Sequence, residues 1–324
     1  METQATLIST KVFHHIARKQ LDGTIHSRFD NAINIRLEDG LIFNILPDTF
    51  PPNSRSLLLP LRAWNRTKRL RFSDKLAVYI KDNQIRIPTL AVRISFRRSR
   101  LWDPSPSLPA LPAPSINIRG NLEIVLRVVM QSSENGDSMK NQVLEPLGIF
   151  GKIPYGSISR SSRHAFIRMI SEGANDLNAA ISSLDFQGVS GASRRIMGLG
   201  PGLTPSGDDF LAGVMAAGVF MSLAYEELHS TLEKINFSIF HSNLAGTTTY
   251  GQILLNDAKR GEVVRPLGQL LQGILCGDEV AFLVSLTHEV MALGESSGKD
   301  SLVGIIFGME LFLRLREDEG HLKK

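Results

Sequence analysis

Residues 102–115 read WDPSPSLPALPAPS, with five prolines in fourteen positions. A proline ring fixes φ near about −65° and removes a backbone donor, so a run of this density favours a stiff, extended chain. Such a connector separates structural units. We therefore predict a β-rich domain over residues 1–101, a proline-rich connector over 102–115 and a helical domain over 116–324.

Short strands dominate the pattern before the connector. Residues 34–37 and 41–46 alternate or run apolar on either side of Glu38-Asp39-Gly40, which is typical of a β-hairpin. These features predict a β-rich first domain. Further predicted strands lie at residues 57–59, 69–72, 76–80 and 91–96.

The spacing of apolar residues changes after the connector. Within residues 122–130 and 161–184 they recur at the period of an amphipathic helix. Strands followed by helices, without regular alternation, indicate an α+β fold. Further helices are predicted at residues 209–226, 229–244, 252–260, 266–275, 278–293 and 301–316.

The composition limits the class of protein. A chain of 324 residues with 43% hydrophobic and 21% charged residues is long enough for two cores and excludes wholesale disorder. Its single cysteine, Cys276, excludes a disulfide framework and a cysteine-based zinc site. The longest apolar run, residues 210–225, is shorter than the roughly 20 residues that span a bilayer, so we expect a buried helix. Residues 1–20 lack a secretory-signal pattern, so we expect a cytoplasmic protein without a membrane partner.

The charge is distributed unevenly. Residues 62–100 hold twelve lysines and arginines against two acids, a local net charge of +10, whereas the whole chain carries +4 and the remainder therefore −6. Three interpretations are open: a solvated face of the β-rich domain, a docking site for an acidic protein, or a nucleic-acid site. The last is least favoured, because no aromatic platform, helix-turn-helix pattern or zinc finger accompanies the charge.

A glycine-rich loop precedes the apolar helix. Residues 198–209, GLGPGLTPSGDD, contain four glycines and two prolines, which excludes the interior of a helix or strand. Ser206 is predicted to cap the following helix, with Asp209 completing a capping box. A helix N-terminus suits a phosphate or carboxylate. The charges of Asp208 and Asp209 oppose such an anion unless the cap holds Asp209 or a Mg²⁺ ion intervenes.

The same pattern returns 91 residues later. Five of eight positions coincide when residues 206–213, SGDDFLAG, are aligned with residues 297–304, SGKDSLVG. A small residue follows four positions later in each copy, which lets two helices pack closely. Parallel neighbouring helices would bring both N-termini into one site, with Asp208 on one side and Lys299 on the other. The alternative is two independent caps on buried helices.

These patterns define a predicted site for a small anion. Asp208 and Lys299 are the predicted catalytic residues, and Asp208 is the candidate ligand for Mg²⁺. The hydroxyls of residues 247–249 either line this site or cap a helix. Arg195 either binds a carboxylate or phosphate through its guanidinium, or ends a helix in solvent. The predicted substrate-binding residues are Gly200, Gly202, Thr204, Ser206, Gly207, Thr247, Thr248, Ser297, Gly298 and Arg195.

Two segments resemble the motifs of a bacterial family that includes the AllH subunit of oxamate carbamoyltransferase. They are GLGPGLTPSGDDFLAG, residues 198–213, and GESSGKDSLVG, residues 294–304. The resemblance spans residues 33–311 and is strongest after Met197. It implies a subunit of a carbamoyltransferase-like enzyme in purine or allantoin breakdown, beside an FdrA-like subunit and a further carbamoyltransferase subunit.

The reaction implied by this resemblance converts oxalurate and phosphate into oxamate and carbamoyl phosphate. It needs two anions held near one carbonyl group and donors aimed at the developing oxyanion, which helix N-termini can supply. The alternative function is a non-catalytic assembly subunit of an FdrA-containing complex, in which the glycine loops serve helix packing.

Overall fold

The computed structural model of the protein describes residues 1–70, 75–108, 117–132, 139–144, 165–277 and 279–322. The chain forms two compact units. The first comprises Met1–Pro104 with Val263–Arg265, and the second comprises Ser105–Glu262 with Pro266–Lys324. Residues 109–115, half of the fourteen residues of the predicted proline connector, lie outside the described residues.

Ten short strands form a single sheet in the first unit. The sheet order is β1-β9-β8-β7-β3-β4-β5-β6-β2-β10, with neighbouring strands hydrogen-bonded. The strands are β1 (Glu2–Gln4), β2 (Leu7–Ser9), β3 (Leu21–Phe29), β4 (Ala32–Leu37), β5 (Ile42–Pro47), β6 (Ser56–Leu59), β7 (Ala77–Lys81), β8 (Gln84–Ile87), β9 (Val92–Ser95) and β10 (Arg100–Trp102).

The sheet curls until its two ends approach each other. β1 and β2 lie near opposite ends of the strand order, yet only two residues separate them in the chain. The Ala5 N–H donates to the Ser95 carbonyl at one end of the sheet (2.8 Å), and the Thr6 N–H donates to the Leu58 carbonyl at the other (2.9 Å). The first unit is therefore a half-barrel.

One apolar core joins the sheet to two short helices, α1 (Thr10–Ile16) and α2 (Leu61–Lys68). Val12 and Ile16 of α1 and Trp64 of α2 are buried among isoleucines, valines and leucines of the strands. The sequence pattern does not predict either helix, because helices of seven and eight residues with two buried positions each show too little periodicity.

The predicted hairpin is confirmed, since β4 and β5 pair antiparallel with Ile35 opposite Phe43. The strands predicted at 57–59, 76–80 and 91–96 correspond to β6, β7 and β9. The strand predicted at 69–72 is wrong at its start, because α2 runs to Lys68 and a turn follows. Residues 71 and 72 lie outside the described part of the chain.

The second unit is helical, and the predicted α+β fold is confirmed. The predicted helices are present with shifted ends, whereas α4 and α6 are additional. α6 was missed because its sequence, FQGVSGASRRI, holds two glycines and three serine or glutamine residues that weaken the apolar pattern. The helices are α3 (Ile118–Gln131), α4 (Met139–Leu144), α5 (Ala165–Ser182), α6 (Phe186–Ile196), α7 (Ser206–Ala224), α8 (His229–Phe240), α9 (Thr249–Ala258), α10 (Arg265–Cys276), α11 (Val280–Met291) and α12 (Ser297–Leu322).

The apolar helix α7 lies in the interior of the second unit. It is the one helix among the described residues that is long and apolar enough to cross a membrane, yet 78% of its apolar window is buried inside the protein. Thirteen consecutive residues from Ser206 to Gly218 are buried, so the helix has no polar face. The predicted buried helix is therefore confirmed.

Candidate functional site

The two helices that begin with the repeated motif pack directly against each other. A Cβ atom added to Gly304 would lie 2.0 Å from the Phe210 carbonyl oxygen, and one added to Gly213 would lie 2.2 Å from the Ser301 carbonyl oxygen. Only glycine allows this approach, and the contacts are reciprocal because the four residues occupy equivalent positions of the repeat. The predicted pairing of α7 and α12 is confirmed.

The two helices run in the same direction. A Cβ atom at Gly308, one turn after Gly304, would lie 3.3 Å from the Ala217 Cβ, one turn after Gly213. Parallel packing brings the N-termini of α7 and α12 together, and there the Thr204 and Ser297 hydroxyls lie 3.1 Å apart.

The first glycine of each motif packs against another helix. A Cβ atom at Gly207 would lie 2.0 Å from the Ile196 carbonyl oxygen, and one at Gly298 would lie 1.9 Å from the Val290 carbonyl oxygen. Both glycines, which are predicted substrate-binding residues, therefore serve helix packing at these contacts. Their N–H groups already donate to the carbonyls of Leu199 (2.8 Å) and Leu293 (3.0 Å).

The start of α7 differs from the predicted capping box. Pro205 occupies the N-cap position without a side-chain hydrogen bond, and Ser206 is the first helical residue. The Pro205 carbonyl accepts from the N–H groups of Asp208 (2.9 Å) and Asp209 (3.1 Å). Capping by Ser206 and Asp209 is therefore wrong: the fixed φ of proline starts the helix one residue earlier and frees Asp209 to turn inward.

The glycine loop folds back on the start of the helix. Gly200 has φ +111°, and a Cβ atom there would lie 2.8 Å from the Ser206 nitrogen. This left-handed conformation and the close approach both require glycine. Gly202, by contrast, lines a cavity beside the starts of α7 and α12.

Asp208 is fully buried and holds two loops together. One carboxylate oxygen accepts from the Gly198 N–H (2.8 Å), and the other accepts from the Thr247 hydroxyl. Burial raises the pKa of Asp208 above its usual value, while the hydrogen bonds from Thr247 and Gly198 lower it. These contacts fit a positioning role.

The two threonines of the predicted site connect the start of α9 to the same loops. Thr247 is bound to Asp208, as above, and its oxygen accepts from the Thr248 N–H (2.6 Å). Thr248 is the N-cap of α9: its hydroxyl oxygen accepts from the Gly251 N–H (2.9 Å), and the hydroxyl donates to the Leu203 carbonyl. Both hydroxyls thus serve the local structure.

A cavity of about 470 Å³ lies beside the joined N-termini of α7 and α12. Lys299 is half-buried and is the positively charged residue of the lining, and hydroxyl residues from both helix starts also line the cavity. The structure thus brings together part of the predicted site, whereas Asp208, Gly207, Thr247 and Gly298 do not line this cavity. The lining residues are Met139, Phe166, Ile167, Pro201, Gly202, Leu203, Thr204, Ser206, Glu295, Ser296, Ser297, Lys299 and Asp300.

Two buried carboxyl groups adjoin the hydroxyls of the cavity. Asp300 lines the cavity and Asp209, its equivalent in the repeat, is 2% exposed. Burial raises the pKa of Asp209 well above its usual value; the hydrogen bond from Ser297 lowers it, the charges of Asp300 and Asp208 raise it, and Thr204 lowers it. The Oδ2 atom of Asp209 is buried and has no hydrogen-bond partner among the described residues.

Two predictions remain, substrate binding by Arg195 and a Mg²⁺ ion at Asp208. Arg195 is exposed on α6 and forms an ion pair with Asp176 of α5. Across the part of the chain that the structure describes, no three histidine, cysteine, aspartate or glutamate side chains group closely enough to hold a metal ion. Magnesium at Asp208 stays a prediction.

Sequence reasoning missed the importance of the buried acids and of the apolar wall. The sequence pattern predicts that Asp209 completes a capping box, although the equivalent positions of Asp209 and Asp300 in the repeat are a signal that the two would meet. Phe166 and Ile167 line the cavity from the start of α5, and nothing in the amphipathic pattern of that helix marks them.

Comparison with known families agrees with the motifs. A family model described as the AllH family N-terminal domain matches residues 4–101, and one described as oxamate carbamoyltransferase subunit AllH matches residues 196–309. The second match includes both copies of the repeat. No solved structure matches the chain. Since the two matches cover most of its length, the chain belongs to the AllH family.

Proposed function

We propose that this chain is the AllH-type subunit of a cytoplasmic carbamoyltransferase that converts oxalurate and phosphate into oxamate and carbamoyl phosphate, or catalyses a closely related transfer. Its proposed partners are an FdrA-like subunit and a further carbamoyltransferase subunit, and its proposed pathway is purine or allantoin breakdown. The family supports the enzyme class. The cavity at the paired helix starts supports a direct part in binding substrate.

The observation that carries this proposal is the polar lining around Lys299. The ammonium group offers charge-assisted hydrogen bonds to a phosphate or carboxylate, and the Ser206 hydroxyl belongs to the same lining. The starts of α7 and α12 both contribute residues to this lining, and a helix N-terminus stabilises an anion by about 0.3–1 kcal/mol when exposed and up to about 2 kcal/mol when partly buried. A small dianion fits these groups.

The proposed reaction moves one proton and needs no covalent nucleophile. An oxygen of hydrogen phosphate attacks the ureido carbonyl carbon of oxalurate, and the bond from that carbon to the amide nitrogen of the oxamate half breaks. The phosphate loses its proton and the departing nitrogen gains one, so the products are carbamoyl phosphate and oxamate. One carboxyl group can donate the proton and recover it from the phosphate.

We assign this proton carrier to the Asp209–Asp300 pair. Asp300 reaches the cavity itself, and Asp209 adjoins it through the Ser297 and Thr204 hydroxyls. Burial and the neighbouring negative charges favour a protonated carboxyl at pH values where an ordinary aspartate is ionised. Asp208 keeps a positioning role, because its oxygens hold the glycine loop and the α9 loop.

The test is the phosphate dependence of oxalurate phosphorolysis by the assembled complex. Lys299→Ala should raise the half-saturating phosphate concentration by roughly 10- to 100-fold, because a hydrogen bond to a charged group contributes about 1.5–3 kcal/mol. Lys299→Arg keeps the charge and should stay within several-fold of the wild type. Lys234→Ala, on the exposed side of α8, is the matched control and should change nothing.

The same measurement would distinguish a substrate-binding subunit from the alternative, a non-catalytic assembly subunit. If the chain is a non-catalytic assembly subunit, Lys299→Ala leaves the phosphate dependence of the complex unchanged. A wild-type complex that forms no carbamoyl phosphate from oxalurate would refute the proposed reaction.

A further inference from the structure

Arginines are used differently in the two units. In the described part of the second unit, seven arginines form ion pairs with carboxylates. In the first unit, no described carboxylate lies within ion-pair distance of five arginines, which lie on β8, on β9, in the turn after β9 and at the start of β10. The seven paired residues are Arg119, Arg127, Arg168, Arg195, Arg260, Arg314 and Arg316. The five others, called the arginine surface below, are Arg86, Arg93, Arg97, Arg98 and Arg100.

The arginine surface begins on the outer face of the half-barrel. Arg86 of β8 lies directly opposite Arg93 of β9, and both alternate with fully buried isoleucines and a valine of the core. Like charges directly opposite each other on neighbouring strands are destabilising. The Arg86 guanidinium donates to the Gln84 side-chain oxygen (3.1 Å). Because this amide is neutral, it does not compensate the charge of Arg86.

The surface continues past the end of β9. Arg97 and Arg98 are exposed and lie within six residues of Arg93, so the chain cannot carry them farther than roughly 20 Å. Arg100 is exposed at the start of β10, the last strand in the order of the sheet, and its N–H donates to the Thr6 carbonyl (3.1 Å). Arg93, Arg97, Arg98 and Arg100 are thus exposed and Arg86 is partly exposed, all within a stretch of fifteen residues.

The neighbours of Arg86 and Arg93 favour a protein as the occupant. Tyr79 of β7, 44% exposed, lies opposite Arg86 on one side. At the margins of the same cross-strand row, Glu2 lies opposite Arg93 and Asp22 lies opposite Tyr79. Arginine and tyrosine side by side on an exposed strand face are typical of the centres of protein interfaces.

We propose that the arginine surface docks an acidic surface of a partner subunit in the carbamoyltransferase complex. This inference rests on the proposed function, because the partner subunits are part of that proposal. Each guanidinium can bind a carboxylate through two parallel hydrogen bonds, and the excess of positive charge speeds association with an acidic patch.

The experiment measures binding of the full-length chain to its separately purified partner subunits. Arg93→Glu combined with Arg98→Glu should weaken binding at least 100-fold and abolish copurification, because reversed charges repel an acidic partner. Arg62→Glu combined with Arg66→Glu makes the same charge change on exposed positions of α2 and should bind within about threefold of the wild type. Wild-type binding should weaken as salt rises. Thermal unfolding of each variant shows that it is folded.

Several other results would overturn the docking proposal. Wild-type affinity of the Arg93/Arg98 variant, or an equal loss in the Arg62/Arg66 variant, removes the arginine surface from the interface. Salt-sensitive binding of duplex DNA or RNA at physiological ionic strength identifies a nucleic acid as the occupant, and a changed oligomeric state of the isolated chain identifies a second copy. If the complex forms through these arginines but shows no phosphorolysis, the proposed function alone is refuted. If the complex is active and the arginine substitutions do not weaken its assembly, the docking alone is refuted.

Discussion

The starts of α7 and α12 share a motif but use its third position in opposite ways. Both motifs place a glycine against a carbonyl of another helix and an aspartate beside the partner helix. Between these residues, α7 carries Asp208, fully buried with both oxygens engaged, whereas α12 carries Lys299, half-buried on the wall of the cavity. The repeat thus conserves the packing and changes the chemistry.

This difference assigns separate tasks to the two copies. The α7 copy anchors the glycine loop and the α9 loop through a buried carboxylate. The α12 copy presents a cation to the cavity. Substitutions at equivalent positions of the two copies should therefore have unequal effects on the free energy of unfolding.

The largest expected effect is at the shared helix contact. Gly304→Ala places a Cβ atom 2.0 Å from the Phe210 carbonyl oxygen, so the helices must separate. Overpacking of a core costs about 1–3 kcal/mol, and a rigid carbonyl opposite puts this substitution at about 3 kcal/mol or more. Urea unfolding of the second unit measures the loss.

A helical glycine elsewhere in the second unit provides the control. A Cβ atom at Gly191 in α6 would meet nothing within 4 Å. Gly191→Ala should therefore stabilise by about 0.5–1 kcal/mol through the better helix propensity of alanine. Equal losses at both glycines would contradict the close contact of α7 and α12.

An intermediate effect is expected at the third position of the motif. Asp208→Ala leaves the Gly198 N–H and the Thr247 hydroxyl without their acceptor, and an unsatisfied buried donor costs about 1–3 kcal/mol. We expect a loss of about 2 kcal/mol. Lys299→Ala, at the equivalent position of α12, should change stability by less than about 0.5 kcal/mol. If the two variants lose equal stability, the division of tasks between the copies is wrong.

The smallest effect on stability, with opposite sign, is expected at the buried acid pair. Because the pKa of Asp209 is raised in the folded state above the unfolded value of 3.8, ionisation destabilises the fold as the pH rises through the raised pKa. Asp209→Asn removes this titration, so the variant should gain stability relative to the wild type as the pH rises from 4 towards neutrality. Chemical denaturation at several pH values measures the difference.

The same variant should lose activity while it gains stability. Loss of general acid–base catalysis costs about 10²- to 10⁴-fold in rate. Asp176→Asn, which removes an exposed carboxyl paired with Arg195, serves as the control and should change stability by about 0.2–1 kcal/mol. If the Asp209→Asn variant loses stability relative to the wild type as the pH rises, Asp209 is not the assigned proton carrier.

Much of the fold and part of the site could be predicted from residue patterns. The hairpin at residues 34–46 follows from alternation and an Asp-Gly turn, and the parallel pairing of α7 and α12 follows from small residues at matching positions of the repeat. The cavity residues Ser297 and Lys299 follow from the same repeat, and Thr204 follows from the glycine-rich loop. The capping assignment failed because Pro205 and Ser206 both suit a helix start, and local preference does not choose between them.

The sequence by itself determined the α+β organisation, the buried character of α7 and the pairing of two helix starts, because periodicity, apolar length and glycine spacing are local properties of the chain. Only the tertiary structure decided which aspartate anchors a loop and which faces a second acid. That choice depends on distances between segments far apart in sequence: the Asp208 carboxylate meets Thr247, whereas Asp209 meets Ser297 and Asp300. Burial and neighbouring charge set the chemistry of a carboxyl group, and both arise only when the helices pack.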